Sequence, residues 1–313
     1  MKTHFKISNI KPEINSCILT IGNFDGLHLG HQYLLRKVLS KARKKLVESV
    51  VLSFSNHTQR VTGRANFKRV INGELEKGYL LDNLGIDRLV LVKFSKQMAR
   101  ISQRDFFKKW ILKKFKPLEL VVGYNHKFGY DGSIKKLLQL GRESDVKINI
   151  VPPFIIDNIA VSSTRIRGLI KKGDLPEVKR LLGYPLLIMG KVVAGMGLSR
   201  KIGFPSANLE IDWKSRLLPP LGVYAGYALW KSGKGKCVIN IGSSPTRNIS
   251  SRRMEVHIIG CKASLYGKIL KIWIMNKIRD IMIFPDLEAL TCQIQEDIKK
   301  TSKFSFPRRK IYE

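Results

Sequence analysis

Two histidines stand three residues apart after a glycine-broken turn, in the segment LTIGNFDGLHLGH at residues 19–31. Residues 19–21 are typical of a strand, and the stretch Leu29–Leu39 has helical spacing. His28 and His31 are therefore expected at a helix N-terminus, where free backbone N–H groups and the helix dipole favour a polyphosphate. Two imidazoles can also donate hydrogen bonds to such a group. The pattern predicts nucleotide chemistry, and the alternative is a solvated helix end, because HxxH alone is common.

A second polar cluster, SSTRIR at residues 162–167, stands before an apparent helix over Gly168–Lys172. Hydroxyl and guanidinium groups at a helix start can hold a triphosphate, since Arg stays ionised and Ser and Thr reach phosphate oxygens without bulk. By itself the cluster is also an ordinary N-cap followed by exposed arginines. In a doubly wound sheet the loops after neighbouring strands converge at one edge, so the two motifs together indicate one nucleotide site.

Composition narrows the class of protein. The chain has 313 residues, of which 44% are hydrophobic and 9% aromatic, which is too apolar for a disordered chain. No apolar run approaches the ~18 residues of a membrane helix, and residues 1–16 lack the apolar core of a signal peptide. The four cysteines show no metal-ligand spacing. We expect a soluble protein of the reducing cytoplasm.

The formal net charge of +33 has two explanations. Runs such as KARKK at 41–45 and KKWILKKFK at 108–116 fall on apparent amphipathic helices, where lysines form a solvated face. The other explanation is attraction of anionic ligands or of nucleic acid. Because the basic residues are spread along the whole chain, we expect no specific nucleic-acid partner and no membrane partner.

The periodicity changes once along the chain. Up to residue 183, β-branched runs alternate with helical stretches, which predicts βαβ units and a parallel sheet. After Leu186, strands follow one another with little helix between them, as in an antiparallel barrel. We therefore expect one domain over 1–183 and a second over 184–313.

The expected strands are Val50–Phe54, Arg88–Phe94, Leu120–Gly123, Val146–Val151, Leu187–Val193, Gly222–Trp230, Lys236–Ile241, Met254–Ile259 and Ile269–Ile278. The expected helices are Glu74–Leu84, Gln103–Phe115, Ser133–Arg142 and a closing helix over Asp286–Lys300, with Leu287, Leu290, Ile294 and Ile298 on one face.

Several motifs follow one another in a distinctive order: GNFDGLHLGH, EKGYLLDNLGIDRLVLVKF, VVGYNHKFG, VSSTRIR, GKVVAGMGLSRKIGFPSANL, LPPLGVYA, NIGSSPT and MEVHI. In this order they closely resemble the bacterial bifunctional riboflavin kinase and FAD synthetase family, over nearly the whole chain. HxGH with SSTxxR is shared by many nucleotidylyltransferases, whereas the array from GFPSAN to MEVHI is typical of flavokinases.

The resemblance implies a Rossmann-like α/β nucleotidylyltransferase domain followed by an all-β six-stranded flavokinase barrel with a C-terminal helix. In the first domain the FMN phosphate attacks the α-phosphorus of ATP and expels pyrophosphate. This nucleophile is already ionised, so His28 and His31 are implied to act by stabilising charge rather than as bases. The residues implied at the ATP phosphates are Gly22, Phe24, Asp25, Ser163, Thr164 and Arg167, and those implied at the flavin are His57 and Asn125.

In the barrel, the resemblance implies attack of the riboflavin 5′-hydroxyl on the γ-phosphorus of ATP. Glu255 matches the family's catalytic Glu and is implied to be the general base, although a lone Glu in an alternating strand is more often an exposed residue. Ser206 and Asn208 match the family's Thr and Asn, whose oxygens bind Mg²⁺. The residues implied at ATP and Mg²⁺ are Gly195, Gly197, Lys201, Ser206 and Asn208, with Ser206 and Asn208 as the metal ligands.

The chain departs from the family pattern in several places. FSNHT at 54–58 stands where the family has FDPHP, so His57 is kept and both prolines are lost. The segment after Phe128 is shorter by about two residues, and His126 replaces an aromatic residue. Asp280 stands where the family tends to have Glu. The first two departures lie in the transferase half, so the kinase prediction is the firmer of the two.

Two alternative functions remain open. One is a nucleotidylyltransferase for another phosphorylated acceptor, which does not account for the barrel motifs. The other is a basic nucleic-acid-binding protein that keeps the fold without turnover, for which binding would fall steeply with salt. The partners that the resemblance implies are riboflavin, FMN, FAD and ATP, in a monomer or weak homo-oligomer.

Overall fold

The computed structural model describes residues 1–4, 16–55, 69–195, 199, 202–243 and 252–305. These residues belong to two compact units, Met1–Ser163 and Thr164–Glu313. The boundary expected at 183/184 lies after the two helices that follow Ser163. Three predicted site residues, His57, Gly197 and Lys201, lie outside the described residues.

The first unit is built on a parallel sheet of six strands in the order β1-β4-β3-β2-β5-β6. This confirms the α/β prediction for the first half of the chain. The strands are β1 Lys2–His4, β2 Cys17–Ile21, β3 Glu48–Phe54, β4 Arg88–Val92, β5 Pro117–Gly123 and β6 Lys147–Val151, and a short hairpin follows, β7 Ile155–Ile156 and β8 Ile159–Ala160. The helices are α1 Leu29–Lys45, α2 Glu74–Asn83, α3 Lys96–Ala99, α4 Gln103–Asp105, α5 Lys113–Phe115 and α6 Ile134–Glu143.

The strand order explains where a ligand can bind. Every residue of β2 and of β4 is buried, as in a sheet covered by helices on both faces. Strand β2 pairs with β3 on one side and with β5 on the other, so the chain changes direction across the sheet at β2. Open parallel sheets bind ligands at the carboxyl ends of strands at such a switch point. The residues after Ile21 occupy this position.

The helix predicted over 103–115 is not one regular α-helix. Helices α4 and α5 flank a π-helical stretch, Phe106–Leu112. Phe106, Phe107 and Ile111 of this stretch are buried in the core of the first unit. The wider turn is a local departure that the helical spacing of the sequence does not predict.

Two helices come next along the chain, α7 Ser163–Lys172 and α8 Leu175–Leu182, and their residues after Ser163 belong to the second unit. Helix α7 starts within the SSTRIR motif rather than after it. Ile166 and Ile170 are both fully buried and lie on one face of this helix, which packs the motif against the core. Gly183 caps the carboxyl end of helix α8 and adopts the left-handed conformation, with a φ of 80°, that suits glycine.

A closed antiparallel barrel follows, in the strand order β10-β13-β12-β11-β14-β9, as the change in periodicity predicts. Alternation along β13 is clear, since Met254, Val256 and Ile258 are buried and the residues between them are more exposed. The strands are β9 Leu186–Val193, β10 Ala207–Glu210, β11 Gly222–Trp230, β12 Gly233–Ser243, β13 Arg252–Ile258 and β14 Ile269–Arg279. Strand β10 was not among the expected strands.

The closing helix, α9, spans Leu287–Lys303. On the predicted apolar face, Leu290, Ile294 and Ile298 are partly buried and Leu287 is 54% exposed, while the fully buried residues of the helix are Asp297 and Thr301. The buried Asp297 forms an ion pair with Arg279 of β14, so a polar contact anchors the helix to the barrel. Among the described residues, no helix is long and apolar enough to cross a membrane.

Candidate active sites

The turn between β2 and α1 holds the first candidate site. Phe24, Gly26 and Leu27 have φ angles of 45°, 82° and 37°, so the chain folds back tightly through left-handed conformations. The Gly22 N–H donates to the Leu52 carbonyl over 3.1 Å, which ties the turn to the end of β3. We call residues 22–27 the phosphate turn. Its two non-glycine left-handed residues are buried, and their packing holds this strained conformation.

His28 and His31 lie together at the start of α1. His28 is the N-cap, and its Nδ1 accepts the backbone N–H of His31 over 3.3 Å. The two rings stack with 3.7 Å between centroids, and the Phe24 ring meets His31 edge-on at 5.3 Å. Because Nδ1 of His28 accepts, its neutral ring carries the proton on Nε2 and can donate from that atom. Gly30 allows this packing, since a Cβ there would lie 3.2 Å from the His28 ring.

Asp25 orders the phosphate turn. Its Oδ1 accepts the backbone N–H groups of Ile71 over 2.8 Å and Asn72 over 3.1 Å. Its carbonyl oxygen accepts the Ser163 hydroxyl over 2.8 Å. Asp25 as a residue is 5% exposed, and its carboxylate faces these backbone N–H groups. Asp25 thus connects the turn to the segment before α2 and to the first residue of α7.

The other predicted transferase residues have different surroundings. Arg167 is buried on α7 and Thr164 is exposed, and both belong to the second unit. Asn125 is exposed just beyond the carboxyl end of β5, the strand next to β2. Its neighbour His126 has its pKa lowered to about 4 by burial, so this imidazole is neutral near pH 7.

Sequence reasoning assigned no role to Lys77, which lies close to the phosphate turn. Lys77 of α2 is buried, and its Nζ donates to the Ser53 hydroxyl over 2.9 Å and to the Phe54 carbonyl over 3.0 Å. Burial lowers its pKa to about 8, and the charges of Asp25 and Glu74 oppose this shift. The motif EKGYLL includes this lysine, but a lysine within a helical stretch gives no sign of being buried.

The second candidate site lies on the barrel. Glu255 of β13 stands directly opposite Asn208 of β10 on one side and Asn240 of β12 on the other. Directly opposite residues point to the same face with Cβ atoms about 4.5–5.5 Å apart. The three side chains therefore form one polar row on the face opposite to that of the buried Met254 and Val256. Burial raises the pKa of Glu255, and the nearby charge of Arg253 opposes the rise.

Asn240 is a further residue to which sequence reasoning assigned no role. Its Oδ1 is buried and accepts no hydrogen bond from the described residues. NIGSSPT contains it, but only the strand register shows that it stands opposite Glu255.

Asn208 packs against the backbone of Gly195. A Cβ at Gly195 would lie 2.0 Å from Asn208 Nδ2, so the Asn208 side chain would have to move if Gly195 carried one. Ser206 stands two residues before Asn208 on the chain, and its hydroxyl lies 2.7 Å from the Ser199 hydroxyl. A cavity of about 230 Å³ opens beside these residues, and it is lined by Val193, Ala194, Gly195, Asn208, Leu209, Arg252, Arg253 and Met254. Two arginines and a glycine-bordered wall suit a polyphosphate.

Both units match models of known families. The family described as FAD synthetase matches residues 10–165, and the family described as riboflavin kinase matches residues 182–305. A crystal structure described as a macrolide-efflux protein from Streptococcus pneumoniae superposes with a TM-score of 0.81 at 29% identity, covering 97% of this chain and 99% of the other.

Three relatives that match over most of their length share one name. A bifunctional riboflavin kinase/FMN adenylyltransferase from Buchnera aphidicola is 33% identical over 310 residues, covering 97% of this chain and 98% of the relative. Proteins of the same name from Haemophilus influenzae and Escherichia coli K12 are each 31% identical, with coverage of 95% and 97% for the first and 90% of both chains for the second. Both family models and the full-length likeness agree that this chain belongs to the bifunctional riboflavin kinase/FMN adenylyltransferase family.

Proposed function

We propose that this protein makes FAD from riboflavin in two ATP-dependent steps. The first step phosphorylates riboflavin to FMN, and the second adenylylates FMN to FAD with release of pyrophosphate. The observation that carries the proposal is that one chain combines a histidine pair at a helix N-terminus with a barrel in which Glu255 stands opposite Asn208.

In the adenylyl-transfer step, an FMN phosphate oxygen bonds to the α-phosphorus of ATP as the bond to pyrophosphate breaks. Hydrogen-bond donors that face the reacting phosphates stabilise the charge that develops there. His28 and His31 fill this role at the positive end of the α1 dipole. Gly22, Phe24, Ser163, Thr164 and Arg167 contribute to binding the ATP phosphates, and His57 and Asn125 to binding the flavin. Asp25 acts through the turn that it orders.

In the kinase step, the riboflavin 5′-hydroxyl bonds to the γ-phosphorus of ATP, and ADP leaves. Glu255 takes the hydroxyl proton as this bond forms. A raised pKa makes its carboxylate a stronger base, while the nearby charge of Arg253 favours the ionised form. Gly195, Gly197, Lys201, Ser206 and Asn208 contribute to binding ATP, together with Arg252 and Arg253 of the cavity wall.

The residues at the barrel site fit Mg²⁺. Ser206 and Asn208 offer hydroxyl and amide oxygens, which are hard ligands, and the Asn208 side chain lies against the backbone of Gly195. When bound, Mg²⁺ neutralises charge on the ATP phosphates. Ser in place of the family's Thr keeps the hydroxyl and loses one methyl group.

We assign adenylyl transfer to 1–183 and the kinase to 184–313. ATP is the co-substrate of both steps, and the cytoplasm supplies it, so we place the protein there. We further propose a monomer or weak homo-oligomer that works without a specific nucleic-acid partner.

The test is to incubate the purified protein with riboflavin, ATP and Mg²⁺ and to separate the flavins by chromatography. We expect FMN to appear first and FAD to follow. FMN alone would show that the departures in the transferase half have removed the second activity. Unchanged riboflavin would overturn the kinase assignment and favour the nucleic-acid-binding alternative.

A further inference from the structure

Lys77 lies within a chain of contacts that ends at the phosphate turn. Its Nζ donates to the Ser53 hydroxyl over 2.9 Å, and that hydroxyl donates to the Asn23 carbonyl over 3.2 Å. Lys77 also donates to the Phe54 carbonyl, so it fixes the last two residues of β3. The Gly22 N–H donates a hydrogen bond to the carbonyl of Leu52, which also belongs to β3. The end of β3 is thus held by the turn on one side and by Lys77 on the other.

A buried ammonium is costly unless its charge is used. Moving a lysine charge out of water is unfavourable, and a structural donor in this position needs no charge. The charged groups of the described residues that act on Lys77 are Asp25 from the phosphate turn and Glu74 from its own helix. Donation from an ammonium to Ser53 is charge-assisted and roughly twice as strong as between neutral groups. Through Ser53, the positive charge is also linked to a turn that is expected to receive the ATP phosphates.

We propose that Lys77 is a positioning residue for adenylyl transfer, and that its ammonium holds the phosphate turn through Ser53 in the conformation that binds ATP. The inference rests on the proposed function. Beside the residues proposed to contact ATP, it assigns a role to a lysine that acts on ATP only through the phosphate turn.

Adenylyl transfer should depend on pH through the charge of Lys77. The pKa of Lys77 is about 8 in the folded protein, so its charge is lost above that pH. Adenylyl transfer should decline there, while the kinase on the barrel continues, and the product should shift from FAD towards FMN. The decline is not unfolding: a lysine with a lowered folded-state pKa releases its proton from the folded protein first, which favours the folded state as pH rises.

The experiment measures conversion of FMN to FAD and of riboflavin to FMN between about pH 7 and about pH 10. The variants are Lys77→Met, Lys77→Arg and, as a matched control, Lys113→Met, which removes an exposed lysine of the same unit. The kinase activity of each sample reports on the barrel, and its thermal unfolding curve reports on the folding of the unit that contains Lys77. The dependence on ATP concentration gives kcat/KM, which reflects the free enzyme, separately from kcat.

For the wild-type protein we expect kcat/KM for ATP in adenylyl transfer to fall above about pH 8. The fall in kcat should come at a higher pH, because bound ATP favours the charged form of the lysine. Lys77→Met should lose about 10- to 100-fold in adenylyl transfer at neutral pH, the size expected of a small misplacement, and should lose the alkaline limb. Lys77→Arg stays ionised and should retain activity through alkaline pH. Lys113→Met should behave as wild type.

Full adenylyl-transfer activity in Lys77→Met would overturn the proposal, as would an unchanged alkaline limb in Lys77→Arg. If Lys77→Met lost the kinase activity as well, the wild-type profile would decide, and the absence of an alkaline limb specific to FAD formation would overturn it. A wild-type protein that forms no FAD at any pH would instead contradict the proposed function.

Discussion

At Glu255, burial and a neighbouring charge act in opposite directions on one carboxylate. Burial favours the protonated form and raises the pKa, while Arg253 favours the ionised form. A general base needs both properties, because it must be ionised before the reaction and must then hold a proton. Its position opposite Asn208 and Asn240 places the carboxylate between two amide side chains on neighbouring strands.

We predict that Glu255→Gln lowers kcat for FMN formation by about 10²- to 10⁴-fold, because the amide keeps the shape and cannot take the proton. In the wild type, FMN formation should rise with pH through the raised pKa of Glu255, since only the carboxylate form is the base. Steady-state kinetics over pH measures both effects. The matched control is Glu210→Gln, an exposed carboxylate on β10 that should change neither activity. Loss of FMN-to-FAD conversion in Glu255→Gln would contradict the assignment.

At the scale of elements, strand pairing and helix capping build the sites. Strand β10 has only four residues, yet it pairs with β9 and β13 and so brings Asn208 beside Glu255. Helix α1 brings its two histidines together because the first is the cap and the second lies one turn further on. The proposed sites therefore depend on strand pairing and on the start of a helix.

We predict that Gly195→Ala impairs the kinase and spares adenylyl transfer. The added Cβ would lie 2.0 Å from Asn208 Nδ2, so the Asn208 side chain must move. We expect the KM for ATP in FMN formation to rise by at least about 10-fold, as expected when a positioned ligand shifts. Gly78→Ala is the control, since a Cβ there meets no atom within 4 Å. An unchanged KM in Gly195→Ala would argue against Asn208 as an ATP or Mg²⁺ ligand.

The attachment of α9 to the barrel is expected to depend on one ion pair. Arg279 donates from Nε and from a terminal nitrogen to Asp297 at 2.8–3.1 Å, and the Asp297 side chain is 2% exposed. We predict that Asp297→Ala lowers the free energy of unfolding by about 3 kcal/mol, because it leaves the Arg279 charge partly buried and unpaired. Urea unfolding followed by tryptophan fluorescence measures this change.

The control for α9 is Glu296→Ala. The Glu296–Lys299 pair is exposed and 4.0 Å apart, so its removal should cost less than about 0.5 kcal/mol. Equal effects of the two substitutions would show that the Arg279–Asp297 contact does not anchor the helix.

For the whole molecule, the two compact units and the two family models predict two activities that can be separated. Domains joined by a short connection need not pass an intermediate directly. FMN made by one molecule should therefore be available to another.

We predict that a mixture of His31→Ala and Glu255→Ala proteins makes FAD from riboflavin, although neither protein does so alone. The first should retain FMN formation, and the second should retain FMN-to-FAD conversion, because each lacks one set of reacting groups. Chromatography of the flavins gives the result. A mixture that accumulates FMN without FAD would show that FMN does not pass between molecules, and loss of both activities in either protein would contradict the assignment of separate sites.

Local sequence patterns were sufficient for most of the architecture. Strand β11 has the predicted bounds, Gly222–Trp230, and α6 is displaced by one residue from the predicted Ser133–Arg142. These predictions succeed because side-chain burial repeats with the period of each element, which is a property of neighbouring residues. The motif residues His28 and His31 could be placed at a helix N-terminus for the same reason.

The sequence by itself determined the two fold classes, their order and the positions of the motifs along the elements. Tertiary structure alone decided that Asn240 stands opposite Glu255, that Asp25 binds Ile71 and Asn72, and that Lys77 reaches the end of β3. These contacts join residues far apart along the chain, and strand register and helix docking set them. Periodicity specifies which face of an element is buried, but it does not specify which distant polar group that face will meet.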